Sequence, residues 1–333
     1  MKDVATHAGL SVGTVSNVLN RPEKVAEATR ERVLASIAAL GFVRNEAARQ
    51  LRAGLSRTVG LVVLDTSNPF FTDVADGAER WGAEHGVFLL TGNSAQRPER
   101  EDHYLELFEE QRVRGVLVSP VGEVTPRLTR MRSLGIAGVL VDRVSADATV
   151  SSVSVDDRAG GRLAIAHLAD LGHTRITFVG GPPELTQVID RLTGAREAAA
   201  SRAITLDQVP VPEPSIRAGL EAGLGLLDLP TAQRPTAVFA ANDLLALGVL
   251  QAITAHGIPV PDAMAIVGYD DIAFAAGAAV PLTSVRQPRA EMGARAMQVV
   301  LAEAEEPDTP REQIVLQPSL VVRRSTAPDT PLT

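Results

Sequence analysis

The sequence predicts a small all-α head of the helix-turn-helix kind followed by an α/β body of two doubly wound lobes. Three observations carry this. A helix, a short turn, and two further helices fit within the first forty residues or so. From Thr58 to about Arg324, short apolar runs alternate with helical stretches. Basic charge is concentrated before residue 58 in a chain whose formal net charge is −8.

Composition sets outer bounds. At 333 residues the chain is long enough for two or three domains. Hydrophobic residues at 45% and charged residues at 22% describe an ordinary globular protein. With no Cys, disulfides, thiolate chemistry and a Cys-based zinc site are excluded. The start lacks a basic segment followed by an apolar one, so no secretory signal is expected. The longest apolar runs, such as 59–64 and 136–141, are far too short to span a bilayer. A cytoplasmic protein with no membrane partner is the expectation.

Residues 1–57 hold nine basic side chains against five acidic ones, which makes about +4 there and about −12 elsewhere. Overall acidity does not exclude nucleic acid, because phosphate attraction acts locally, within a Debye length.

Residues 3–8 read as a short helix with Val4, Ala5 and Ala8 at helical spacing. Gly9 suits the left-handed turn that follows. Ser11 is a natural N-cap for a second helix over 12–20, with Val15, Val18 and Leu19 inward. Gly13, Thr14, Ser16, Asn17 and Asn20 then lie on or near its outer face. A third helix over 27–40 carries Val33, Leu34, Ile37 and Ala38 and closes at Gly41. This geometry places a recognition helix in a major groove. A plain three-helix cap with solvated Ser and Thr has the same spacing. The stretch VRNEAARQLRAGLSRT favours the first reading: it starts as a short helix at Asn45, carries Arg49 and Arg52, and loosens at Gly54 and Ser56, as a hinge does.

In the body, strand-like runs fall at 59–64, 87–91, 115–118, 137–141, 176–179, 237–240 and 265–268. Helical stretches fall at 73–84, 99–111, 158–171, 189–201, 243–256 and 289–304. Such alternation predicts parallel sheets covered by helices, and ligands bind beyond the carboxyl ends of their strands. Residues just past the strands are polar: Asp65 with SNPFF, Asp142-Arg143, Asn242-Asp243 and Asp270-Asp271, with Arg191 near the same edge. Carboxylates, an amide and an arginine beside Phe70 or Phe71 describe a polyol site with one apolar wall.

Catalytic and metal readings find little support, and no cofactor is expected. His167 and His173 are six apart, which does not place two ligands on one helix face, and a structural hydrogen bond suits His173 better. FVGGPPE follows a strand but lacks the third glycine of a dinucleotide loop. The adjacent pairs Asp156-Asp157 and Asp270-Asp271 point to opposite faces of an extended chain and form no dyad.

DVATHAGLSVGTVSNVLN, TRERV, NEAARQLR, NPFF, LGHTRI, ANDLLALGVL and VGYDDI occur in one order along the chain. In these motifs and their spacing the sequence resembles the lactose-repressor (LacI/GalR) family of transcriptional repressors, over its full length. The resemblance implies a periplasmic-binding-protein-like body. It divides the chain into a DNA-binding head at 1–44, a hinge helix and linker at 45–57, a two-lobed body at 58–324 and a tail at 325–333. Lobe 1 is expected at about 58–156 plus 287–318, and lobe 2 at about 157–284 plus 319–324.

The resemblance implies DNA contact by Ser11, Val12, Gly13, Thr14, Ser16 and Asn17. Val12, Gly13 and Asn17 stand at positions that discriminate operators, and Thr14 and Ser16 at positions that touch phosphate. Gly13 departs from the family pattern by lacking a side chain to read a base. Asn17 stands where Arg is frequent and has the chemistry to pair with adenine. In the hinge, Asn45, Ala48, Leu51 and Arg52 are implied as DNA contacts. Leu51 matches the leucine wedged into the minor groove, and its sparse apolar company disfavours an ordinary buried role.

Phe70, Asp142, Arg191, Asn242, Asp270 and Gln287 match positions that hold the effector in sugar-responsive members. The resemblance therefore implies a sugar or sugar derivative. Pro214 before Ser215 departs from the pattern, because many relatives carry a ring there that packs on the sugar face. An aromatic content of 3% disfavours a purine as well. The tail lacks the apolar helical repeat of tetrameric members, so a homodimer on a pseudo-palindromic operator is expected. The competing functions are a sugar-binding protein of the periplasmic type and an α/β enzyme. TVSNVLN stands against the first of these, and the missing phosphate loop against the second.

Overall fold

The computed structural model of the chain describes residues 1–42 and 56–327. It divides into two compact units, Met1–Ser56 and Arg57–Thr333.

The head holds α1 (Lys2–Ala8), α2 (Val12–Asn20) and α3 (Glu27–Ala39). Its core is small: Val4, Ala5, Ala8, Val15, Val18 and Val33, flanked by half-buried Leu10, Leu19, Ile37 and Phe42. Gly9 takes φ 60° and ψ 41°, so its amide and that of Leu10 turn back onto the carbonyls of Thr6 and Ala5. The next free carbonyl, that of Ala8, accepts from Arg32 Nε at 3.1 Å, and Arg32 also reaches the Gly9 carbonyl. One arginine of α3 thus ties down the helix–helix turn. Leu34 and Ala38, expected inside, are exposed, whereas Ser36 is buried and bonds His7 Nδ1 at 3.1 Å. A core this small faces only one narrow stripe of α3.

In the body, lobe 1 contains β1 (Thr58–Val63), α4 (Pro69–Glu84), β2 (Phe88–Asn93), α5 (Pro98–Glu110) and β3 (Gly115–Val118). It continues with α6 (Thr125–Ser133), β4 (Ala137–Val141) and β5 (Ser151–Val155), and later gains α12 (Arg289–Glu305) and β11 (Gln313–Leu316). Lobe 2 contains α7 (Asp157–Asp170), β6 (Arg175–Gly180), α8 (Thr186–Ser201), β7 (Thr205–Pro210) and α9 (Ile216–Asp228). It is completed by β8 (Ala237–Ala240), α10 (Asp243–Ala255), β9 (Ala265–Asp270), α11 (Ala273–Gly277), β10 (Thr283–Arg286) and β12 (Ser319–Val321). Each lobe is a six-stranded sheet, in the orders β11-β5-β4-β3-β1-β2 and β12-β10-β9-β8-β6-β7. All pairings are parallel except β10 with β12.

The chain crosses between lobes after β5, between β10 and α12, and between β11 and β12. In each sheet the order reverses beside the first strand of the lobe, and loops leaving the carboxyl ends on either side of such a point open a crevice. The sequence pattern missed β5, β7, β10, β11, β12, α6, α9 and α11. β5 shows why: SSVSV is buried throughout, with Ser151 bonded to Glu303 and Ser152 to Gln313. Its interior is held by hydroxyls, so hydropathy gives no sign of it.

Candidate functional site

In the head, Ser11 Oγ caps α2 by accepting from the Thr14 amide at 3.0 Å. Ser11, Val12, Gly13, Asn17 and Asn20 are exposed, while Thr14 and Ser16 are half-buried. Gly13, Asn17 and Asn20 follow the helical spacing of one face. Asn20 Nδ2 donates back to the Ser16 carbonyl at 2.9 Å. Val12 is 43% exposed in a head whose other valines on α2 are buried, so this helix keeps an uncovered face with one apolar contact point. Asn45, Ala48, Leu51 and Arg52 lie outside the described residues.

In the body, the six expected cleft residues line one cavity of about 60 Å³ between the lobes. Phe70 comes from the first turn of α4 and meets Phe71 edge-on, ring centroids 4.9 Å apart. Asp142 follows β4, Asn242 follows β8, Asp270 ends β9 and Gln287 follows β10. Arg191 stands on α8.

Arg191 is held from several sides. Its Nε donates to Asp157 Oδ1 at 2.8 Å, its Nη1 donates to the Ala241 carbonyl at 2.8 Å, and Asp270 Oδ1 lies 3.8 Å from Nη1. Its Cζ sits 3.8 Å from the Tyr269 ring centroid, a cation–π contact in a buried setting. The backbones of α7 and α8 approach closely enough to allow this pairing because both helices carry glycine at the crossing. A Cβ on Gly161 would lie 2.0 Å from the Arg191 carbonyl oxygen, and one on Gly194 would lie 2.0 Å from that of Arg158.

Asp142 and Asp270 both have left-handed backbones, φ 61° and 102°. Non-glycine residues there carry strain of about 1–3 kcal/mol each, which persists where the surroundings over-determine it. Gln187 Nε2 crosses the cleft and donates to the Asp142 carbonyl and Oδ2, at 2.8 and 2.9 Å. Gln287 Nε2 donates to Asp270 Oδ1 at 2.8 Å. Asn242 spends its oxygen capping α10 and its Nδ2 on the Pro214 carbonyl. Where the chain crosses from lobe 2 to lobe 1, Arg289 of lobe 1 donates to Asp73 and to the Asp271 carbonyl of lobe 2.

Burial pushes the Asp142 carboxyl well above its usual range; Asp157 and Asp270 push it further, against Arg191 and Gln187. Burial also raises Asp157 and Asp270, with Arg191 opposing in both. For Arg191, burial works against the charge, but Asp157, Asp270 and Asp142 outweigh it and raise its pKa. The neighbours of the cleft aspartates have different duties. Asp243 accepts from Ser284 Oγ and the Ile272 amide, and Asp271 pairs with Arg286 and Arg323. His173 bonds Thr236 Oγ1 at 2.9 Å, the structural role expected of it.

Sequence reasoning missed Gln187, Gln96 and the pairing role of Asp157. Gln187 lies four residues before Arg191, one helical turn away on the same face, and that spacing was the available signal.

A helical head with an exposed second helix, joined in one chain to a two-lobed body with a polar cleft, defines a ligand-responsive DNA-binding regulator. Residues 1–45 match the model of bacterial regulatory proteins of the lacI family, and residues 146–326 match a periplasmic binding protein-like domain. The chain is 32% identical to the HTH-type transcriptional repressor PurR of Vibrio parahaemolyticus, over 98% of both chains. The Lac repressor dimer bound to operator and the anti-inducer ONPF superposes with a TM-score of 0.84 at 26% identity, covering 97% of this chain and 98% of that one. A transcriptional regulator CelR–cellobiose complex superposes with a TM-score of 0.71 at 32% identity, covering 97% and 98%. The chain belongs to the lacI family and is a ligand-responsive transcriptional repressor, not an enzyme. No helix among the described residues is long and apolar enough to cross a membrane.

Proposed function

We propose that the chain acts as a cytoplasmic homodimer that binds a pseudo-palindromic operator and is released by a small sugar or sugar derivative. The observation that carries this is the meeting of Phe70, Asp142, Arg191, Asn242, Asp270 and Gln287 in one cleft, drawn from both lobes. Planar carboxylate and amide groups beside a ring suit vicinal hydroxyls and an apolar sugar edge. The cellobiose named with CelR supports a saccharide, and the absence of a ring at Pro214 favours one that needs no stacked face.

In this reading residues 1–44 are the head, 45–57 the hinge, 58–324 the body and 325–333 the tail. Lobe 1 is 58–156 plus 287–318, and lobe 2 is 157–284 plus 319–324. Ser11, Val12, Gly13, Thr14, Ser16 and Asn17 meet the major groove, and Asn45, Ala48, Leu51 and Arg52 meet DNA from the hinge. An effector that touches both lobes changes their relative angle and so the spacing of the paired heads; it releases DNA when it prefers the low-affinity state. Selection from a random DNA library tests the first half: a symmetric site is expected, and recovery of no symmetric site overturns it. Thermal melts with a panel of mono- and disaccharides test the second half, with an upward shift expected for at least one sugar.

A further inference from the structure

We infer that the effector carries a protonated amine, seated on Asp142 and Gln287, so that the cleft prefers an amino sugar to its neutral parent and rejects acidic sugars. This rests on the sugar reading above and narrows it. Asp142 is 5% exposed and Gln287 2% exposed, and both line the cavity. Each keeps one buried oxygen, Asp142 Oδ1 and Gln287 Oε1, with no hydrogen-bond partner. A buried acceptor left unpaired keeps its full desolvation cost, more when charged, so a ligand that donates to both is strongly favoured.

Several of the cleft's donors are by contrast already engaged. The amide nitrogens of Gln187, Asn242 and Gln287 all donate to protein oxygens, and Arg191 donates to Asp157 and Ala241. An anionic ligand would meet Arg191 with its charge already faced by Asp157 and Asp270.

Charge points the same way. Asp142, Asp157 and Asp270 are buried around a single buried cation, Arg191. Arg289, the other cation near Asp270, is turned to Asp73 and to backbone carbonyls. Among the described residues no three carboxylates or histidines are grouped to hold a metal ion, so a metal does not complete the set. An ammonium supplies up to three donors and, by its charge, draws Asp142 to its ionised form.

The test is isothermal titration of the full-length protein with matched sets: glucosamine, glucose and glucuronate; galactosamine, galactose and galacturonate; and putrescine as an amine without hydroxyls. In at least one set the amino sugar is expected to bind about tenfold or more tightly than the neutral sugar, the scale by which a charge-assisted hydrogen bond exceeds a neutral one. The uronates are expected not to bind. In Asp142→Asn the preference for the amine is expected to vanish, with a thermal melt showing the variant folded.

Equal or tighter binding of neutral sugars, or binding of a uronate, overturns the inference and leaves the sugar reading standing. Putrescine binding as tightly as the best amino sugar overturns the sugar reading and leaves the charge preference. Silence from every probe overturns both.

Discussion

Asp142 concentrates the tension of the cleft: a strained backbone, a buried carboxyl with one unpaired oxygen, and like charge on two sides. Its pKa is raised in the folded protein, so folding favours its protonated form. The stability this gives is present below the unfolded value near 3.8 and is lost as pH rises through the raised folded value. Asp142→Asn is therefore expected to melt near the parent temperature at pH 4 and increasingly above it toward pH 7, in the absence of ligand. A constant difference across that range would show that the carboxyl is not what the fold resists.

Arg191 works in the opposite sense. Arg191→Ala leaves Asp157 buried without its ion-pair partner and removes the guanidinium 3.8 Å from Asp270, so a loss of about 3–5 kcal/mol of stability is expected along with the loss of effector response. Chemical denaturation measures the first and ligand titration the second. Gln287, after the unread β10, came only from the family resemblance, whereas Asp142, Asn242 and Asp270 were legible in the sequence because each ends a strand or follows one within two residues. Gln187 and Asp157 were not, because they sit in the first turns of helices, where polar residues are common for capping alone.

At the scale of elements, the cleft depends on the α7–α8 crossing. Gly194→Ala places a methyl group against the Arg158 carbonyl and must move the helices apart. An overpacking cost of about 1–3 kcal/mol is expected, with a weaker Arg191–Asp157 pair and hence weaker effector binding. Unchanged melting and unchanged titration would show that the crossing has slack. In the head, Ser11→Ala removes the cap of α2 and is expected to cost about 1 kcal/mol, read as a lower melting temperature of the head. The helices of the head were legible because capping serine, turn glycine and valine spacing agree. The exposed Leu34 was not, since periodicity does not say how wide a face a small core covers.

For the whole molecule, the property to test is the proposed coupling between a basic head and ligand binding in the body. Affinity for DNA is expected to fall steeply with salt, by about 0.9 logarithmic units per tenfold salt for each phosphate neutralised. Asn17→Ala is expected to cost about 1–3 kcal/mol at one symmetric base position while leaving the salt slope unchanged. The alternation of strands and helices made the α/β body legible. The serine-rich β5 was hidden because hydroxyls stand where apolar side chains would, and β11 and β12 because their partners lie far along the chain.

The coupling itself is tested most directly by fluorescence anisotropy of a labelled operator, obtained by selection and titrated with protein at fixed salt. The titration is run without sugar and with each sugar that raises the melting temperature. A ligand-responsive repressor of this kind predicts that at least one such sugar raises the protein concentration for half-saturation by about tenfold or more. It also predicts that Arg191→Ala, where still folded, binds operator but does not respond. Half-saturation unmoved by every sugar that binds the body would contradict it.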